Sequence, residues 1–160
     1  MNFHKRTWIP ALVASTLFLT YIAFADSVSR GRYLVKISGC NDCHTKGYLE
    51  REGSVPEKDW LMGDSIGWRG PWGTTYATNL RLYLQDMPED VWLNTAPTAK
   101  SRPPMPWFAL HAMTVDDLRA IYQYVKSLRP EGKAAPAYVP PKQEPTTPYI
   151  LMTPRSPKKK

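Results

Sequence analysis

Gly39-Cys40-Asn41-Asp42-Cys43-His44 holds both cysteines of the 160-residue chain and one of its three histidines. Several chemistries use such a cluster. A disulfide across two intervening residues closes so short a loop that it adds little stability and is typically redox-active. A thioredoxin-type site needs a strand before the motif and a helix after it, within a βαβ pattern, and neither is visible here. A closed structural zinc site needs four ligands. Beyond residue 25 the soft donors are Cys40, Cys43, His44 and His111, two of them adjacent in sequence.

Cys-x-x-Cys-His is also the attachment signature for haem c, and here each residue has a separate task. The two thiols add across haem vinyl groups as thioethers, and their spacing on a turn of helix brings both sulfurs to one edge of a porphyrin. The following imidazole projects toward the iron. The motif therefore predicts one covalent haem c on Cys40 and Cys43, with His44 as an axial iron ligand. Such a group would be the largest apolar element of the core.

The rest of the chain must position that site. His4, Lys5 and Arg6 precede an uncharged, mostly apolar run from Trp8 to Phe24, and Ala23-Phe24-Ala25 has the small-x-small form cut by signal peptidase. Residues 1–25 are expected to be a secretory signal and the protein periplasmic. The alternative is an uncleaved segment anchoring it to the inner membrane, at the short edge of what spans a bilayer. Residues 26–129 form the expected domain, small enough to need help beyond its own apolar burial. Half of the sixteen prolines fall in 130–160, which reads as an extended tail. Tyr138, Tyr149, Ile150 and Leu151 could anchor that tail to the domain or to a partner.

One helix is legible in detail. Thr114 is an N-cap with Asp117 at the third helical position, and Asp116 and Asp117 suit the positive end of the helix dipole. Leu118, Ile121, Tyr122, Val125 and Leu128 then form one apolar stripe, and Arg129-Pro130 ends it.

From about Ser29 to Leu128 the chain resembles the class I cytochrome c family, and more narrowly the periplasmic monohaem cytochromes associated with membrane-linked dehydrogenases. Arg30 to Val35 running into the cysteine motif resembles the family's first helix. Gly73-Thr74-Thr75-Tyr76-Ala77-Thr78-Asn79-Leu80 resembles its middle loop, and Pro104-Met105-Pro106-Trp107 with Thr114 to Leu128 its methionine loop and last helix. The resemblance implies an all-α helical domain wrapped round the haem, with a proline-rich C-terminal extension. It implies a close helix crossing through Gly31 and Tyr122, and a carbonyl at Pro56 to orient His44. It also implies propionate contacts from Tyr76, Thr78 and Asn79, with Trp68, Arg69 and Trp72 as further candidates.

The sixth iron ligand decides between carrier and enzyme. Met105 lies between prolines that stiffen the backbone, and its distance along the chain from His44 resembles the family's spacing. Met113 is the alternative, although it stands at the N′ position of a hydrophobic staple with Leu118; His111 is third. Most other methionines read as packing residues. A thioether opposite imidazole raises the potential relative to bis-histidine ligation and closes the iron.

The expected function is single-electron shuttling between a dehydrogenase and a respiratory acceptor, either as a free carrier or as a dehydrogenase subunit, and not catalysis. A haem enzyme or gas sensor with a displaceable sixth ligand is the alternative. The formal net charge is +7; loss of Lys5 and Arg6 with the signal lowers it to +5, and two propionates to +3. A mildly basic carrier suits an acidic docking surface on a dehydrogenase or oxidase. Three of those charges are Lys158 to Lys160. Nothing in the chain points to nucleic acid, and no membrane insertion is expected once the signal is removed.

Overall fold

The computed structural model describes residues 24–157. The expected signal lies outside the described residues except for its last two. A first helix, α1 (24–37), buries Gly31, Leu34 and Val35 at helical spacing. It is followed by α2 (Cys40–His44), α3 (Leu80–Tyr83), α4 (Glu89–Thr95), α5 (Trp107–His111) and α6 (Val115–Ser127).

The long helix α6 forms for the reasons its sequence states. The Thr114 side chain accepts from the Asp117 N–H at 3.1 Å, and Leu118, Ile121, Tyr122 and Val125 are buried. Together with Leu34, Val35, Trp60, Leu61, Leu84 and Tyr124 they make the core, against which Met113 packs. Full burial of each such apolar side chain contributes about 1.5–3 kcal/mol.

The crossing of α1 with α6 depends on Gly31, but its partner is not Tyr122. A Cβ at residue 31 would sit 2.0 Å from the Ala120 carbonyl oxygen and 2.7 Å from the Tyr124 Cβ. The helices touch through two small residues, Gly31 and Ala120, with the Tyr124 Cβ alongside. Tyr122 lies on the next face and donates its hydroxyl to the Met87 carbonyl at 2.8 Å. At its edge the crossing is pinned by Arg30, which donates to Asp117 at 3.0 Å.

The expected all-α architecture is overturned by a three-stranded mixed sheet, which makes the fold mixed α/β. Strand β1 (Gly67–Gly70) turns through Pro71-Trp72 into β2 (Gly73–Tyr76), pairing antiparallel with Gly67 opposite Tyr76. Strand β3 (Tyr149–Leu151) pairs parallel to the other edge of β1, with Gly67 opposite Tyr149 and Arg69 opposite Leu151. The physical reason is that a stretch expected to be loop has a partner supplied from the far end of the chain.

The tail is therefore a strap and not a free linker. Asn79 donates to the carbonyls of Glu131 and Lys133, Thr74 and Val139 exchange backbone hydrogen bonds, and Arg69 is paired with Glu144 at 2.8 Å. Its prolines leave carbonyls and few donors, and those carbonyls are used: Pro148 accepts from the Gly67 N–H at 2.9 Å. A buried arginine ties strap to core, since Arg81 donates to the carbonyls of Glu57, Lys58 and Leu128 and pairs with Glu131.

No helix among the described residues is long and apolar enough to cross a membrane.

Candidate haem-attachment site

The short helix α2 starts after Gly39, which stands in the left-handed region at φ 70°. Spacing of i, i+3 and i+4 on a helix puts Cys40, Cys43 and His44 on one face. The C-terminal end of α2 is locked to the loop at 61–63. The Gly63 N–H donates to the His44 carbonyl at 2.7 Å, and the Leu61 N–H donates to the Thr45 hydroxyl at 2.8 Å. Thr45 in turn donates to the Asn41 side-chain oxygen at 2.7 Å.

The same loop supports the segment at 77–79. Gly63 has φ 75°, and a Cβ there would meet the Ala77 carbonyl oxygen at 2.6 Å and the Asn79 nitrogen at 2.8 Å. Leu80 N–H donates to the Leu61 carbonyl at 2.9 Å. This close packing delivers the Thr78 carbonyl to the imidazole: His44 Nδ1–H donates to it at 2.7 Å. The expected partner, Pro56, does something else. Its carbonyl accepts from the Asp59 N–H at 2.9 Å and opens a single 3-10 turn. The carbonyl that orients His44 comes instead from Thr78, at the exit of β2.

Because a carbonyl only accepts, the Thr78 bond fixes the proton of His44 on Nδ1 and leaves the Nε2 lone pair for a metal. Burial lowers the His44 pKa, and the Thr78 bond opposes this in part. The imidazole is neutral at neutral pH, as a ligand must be. The thiols behave differently from those of oxidoreductases. Burial pushes Cys40 up to about 11, with Asp42 and Cys43 adding to the rise, and burial followed by Asp42 raises Cys43. Thiol–disulfide enzymes instead acidify their attacking cysteine. Both thiols are free. No group of three or more His, Cys, Asp or Glu side chains that could hold a bare metal ion occurs among the described residues.

These residues fit a covalent haem. Two protonated thiols and a neutral imidazole with Nε2 available share one face, and the fully buried Asn41 between the cysteines keeps a side-chain N–H donor without a protein partner. An open cleft lies beside Cys43, lined also by Asp42, Thr45, Ile66, Trp68 and Ile150.

Met105 lies in a loop held from both sides. The Thr75 hydroxyl donates to the Pro103 carbonyl, and the Met105 carbonyl accepts from Trp107 at the head of α5 at 2.9 Å. Met105 and Met113 are both half-buried, and Met113 packs against the core. His111 is committed elsewhere, with Nε2 donating to the Ala99 carbonyl at 2.8 Å and its ring centroid 4.9 Å from that of Trp107, the planes tilted by 46°.

Among the residues expected around the propionates, Tyr76, Asn79, Trp72 and Arg69 have side-chain partners within the protein. Tyr76 shares a 2.8 Å hydrogen bond with Thr147. Asn79 caps α3 through its oxygen and spends its amide protons on the strap. Thr78 offers its carbonyl to His44. Trp72 donates to the Thr75 hydroxyl at 3.2 Å, Arg69 is bound to Gln143 and Glu144, and Trp68 lines the cleft beside Cys43. Sequence reasoning missed Thr75 and Leu61 as supports of the site. Thr75 stood in the quoted middle-loop segment without a role, and the left-handed backbone of Leu61, at φ 62°, has no signal in its residue type.

No family model matches this chain, and no curated protein or solved structure matches it either.

Proposed function

We propose that this chain is an exported, periplasmic electron-transfer protein that carries one haem c bound through Cys40 and Cys43, with His44 and Met105 as axial ligands. The observation that carries the reading is the His44 to Thr78 hydrogen bond, which presents a neutral, oriented imidazole next to two protonated thiols on one face of α2. When bound, haem supplies one-electron exchange between its ferric and ferrous states. The chain's own residues orient the imidazole, keep it neutral, and hold a thioether loop through Thr75 and α5. Held by both His44 and Met105, the iron would keep no position open to substrate. The electron partner is a redox protein such as a periplasmic dehydrogenase or oxidase, met through charge complementarity with this basic chain.

The oxidised holoprotein should show the weak near-infrared thioether-to-iron band, and the reduced form should resist carbon monoxide. Absence of the band with rapid carbon monoxide binding would instead identify an open site, as in a haem enzyme or gas sensor.

A further inference from the structure

The methionine loop, the β1–β2 hairpin and the C-terminal strap meet at one junction. Arg102, three residues before Met105, places its guanidinium carbon 3.9 Å from the centroid of the Tyr138 ring. The Tyr138 hydroxyl donates to the Trp72 carbonyl at 2.7 Å. The ring covers Gly73 so closely that any Cβ there would come within 2.9 Å of it. Trp72 donates to Thr75, and Thr75 donates to the carbonyl of Pro103, the residue after Arg102. The backbone exchange between Thr74 and Val139 fixes the strap at the next residue. The loop is thus gripped on its backbone by the hairpin and on its side chain by the strap, and both grips rest on Trp72 to Thr75.

We propose that Tyr138 is a positioning residue for the Met105 loop, acting through Arg102 and Trp72, so that docking of the strap sets how firmly the sixth iron position is held. This rests on the assignment of Met105 as a ligand. Guanidinium over an aromatic face is electrostatically attractive and geometrically specific, and an arginine stacks there better than a lysine. The ring is fixed at its far end by the hydroxyl, so it offers Arg102 a rigid platform and not a mobile side chain. Without that platform the stretch ahead of Met105 keeps the bonds from Thr75 to Pro103 and from His111 to Ala99.

The test uses ferric holoprotein of the full chain, with exogenous imidazole as the competitor for the sixth position. Tyr138→Leu and Arg102→Gln should each raise the apparent imidazole affinity about two- to five-fold, the range set by an exposed cation–π pair. The double variant should gain no more than Tyr138→Leu alone, because losing the ring already removes the contact that Arg102→Gln removes. Tyr138→Phe, which keeps the ring, should fall between Tyr138→Leu and wild type, and Arg102→Lys should restore part of the effect. Haem content should not change. Hydrogen exchange at the Met105 and Trp107 amides, which does not depend on the iron, should quicken in Tyr138→Leu. Unchanged imidazole affinity and unchanged exchange would overturn the proposal. Met105→Ala serves as the reference: if it leaves the thioether band in place, the ligand assignment fails, and the exchange data alone then decide whether the strap orders the loop.

Discussion

His44 Nδ1–H donates to the Thr78 carbonyl oxygen at 2.7 Å, which joins the last residue of the cysteine motif to the exit of strand β2. The bond exists because residues 61–63 wedge between them with a glycine at the point of closest approach. Gly63→Ala should therefore damage the site from a distance. Its Cβ would press on backbone atoms that have no room to give, at a positive φ as well. The expected cost is about 2–4 kcal/mol by chemical denaturation, with reduced haem incorporation. Wild-type stability in this variant would mean that the 77–79 segment is free to move.

The sixth ligand is tested by paired truncations. Met105→Ala should abolish the thioether band and lower the reduction potential. Met113→Ala should leave the band intact but cost about 2 kcal/mol, the low end for methionine truncation, because Met113 is only partly buried against the core. The reverse pattern would transfer the ligand role to Met113.

The helix crossing makes a sharper prediction than a large core residue would. Gly31→Ala adds one methyl, yet it would fall 2.0 Å from the Ala120 carbonyl oxygen. We expect a loss of at least about 3 kcal/mol, because two helix backbones must separate. Tyr122→Phe, on the neighbouring face, should lose only the bond to the Met87 carbonyl, about 1 kcal/mol. A larger loss from Tyr122→Phe than from Gly31→Ala would restore the aromatic partner implied by family resemblance.

How much of this was legible depended on whether the signal was local. Helix α6 was readable because its cap, acidic first turn and apolar stripe all lie within fifteen residues of one another. The cysteine motif was readable because five consecutive residues carry its chemistry. The sheet was not. Gly67-Trp68-Arg69-Gly70 and Gly73-Thr74-Thr75-Tyr76 are too short and too glycine-rich to show alternation, and the third strand comes from a proline-punctuated segment about eighty residues later. The burial of Arg81 was equally silent, since its acceptors are main-chain carbonyls from residues 57, 58 and 128. Pro56 and Tyr122 were placed by resemblance, and packing that no residue type encodes gave both roles to others.

Acid should release the Arg30–Asp117 clamp. Arg30 holds the Asp117 carboxyl below the usual carboxylate value of 3.8, assisted by Thr114. A depressed carboxylate contributes fully above its unfolded pKa and loses that contribution as pH falls through its folded value. Asp117→Asn should cost less than about 1 kcal/mol at neutral pH, because Arg30 is half exposed. The gap to wild type should close progressively below about pH 4. A gap that widens in acid would assign the stabilisation to another group.

Covalent attachment of haem to Cys40 and Cys43 is read from the intact mass of the denatured protein, exported from a host able to attach haem. After acid–acetone extraction and thiol alkylation, the account predicts the polypeptide plus one haem, with neither cysteine alkylated, and a Cys40→Ala, Cys43→Ala variant that carries no haem. The mass of the bare polypeptide with both cysteines alkylated, from well-folded exported protein, would contradict it.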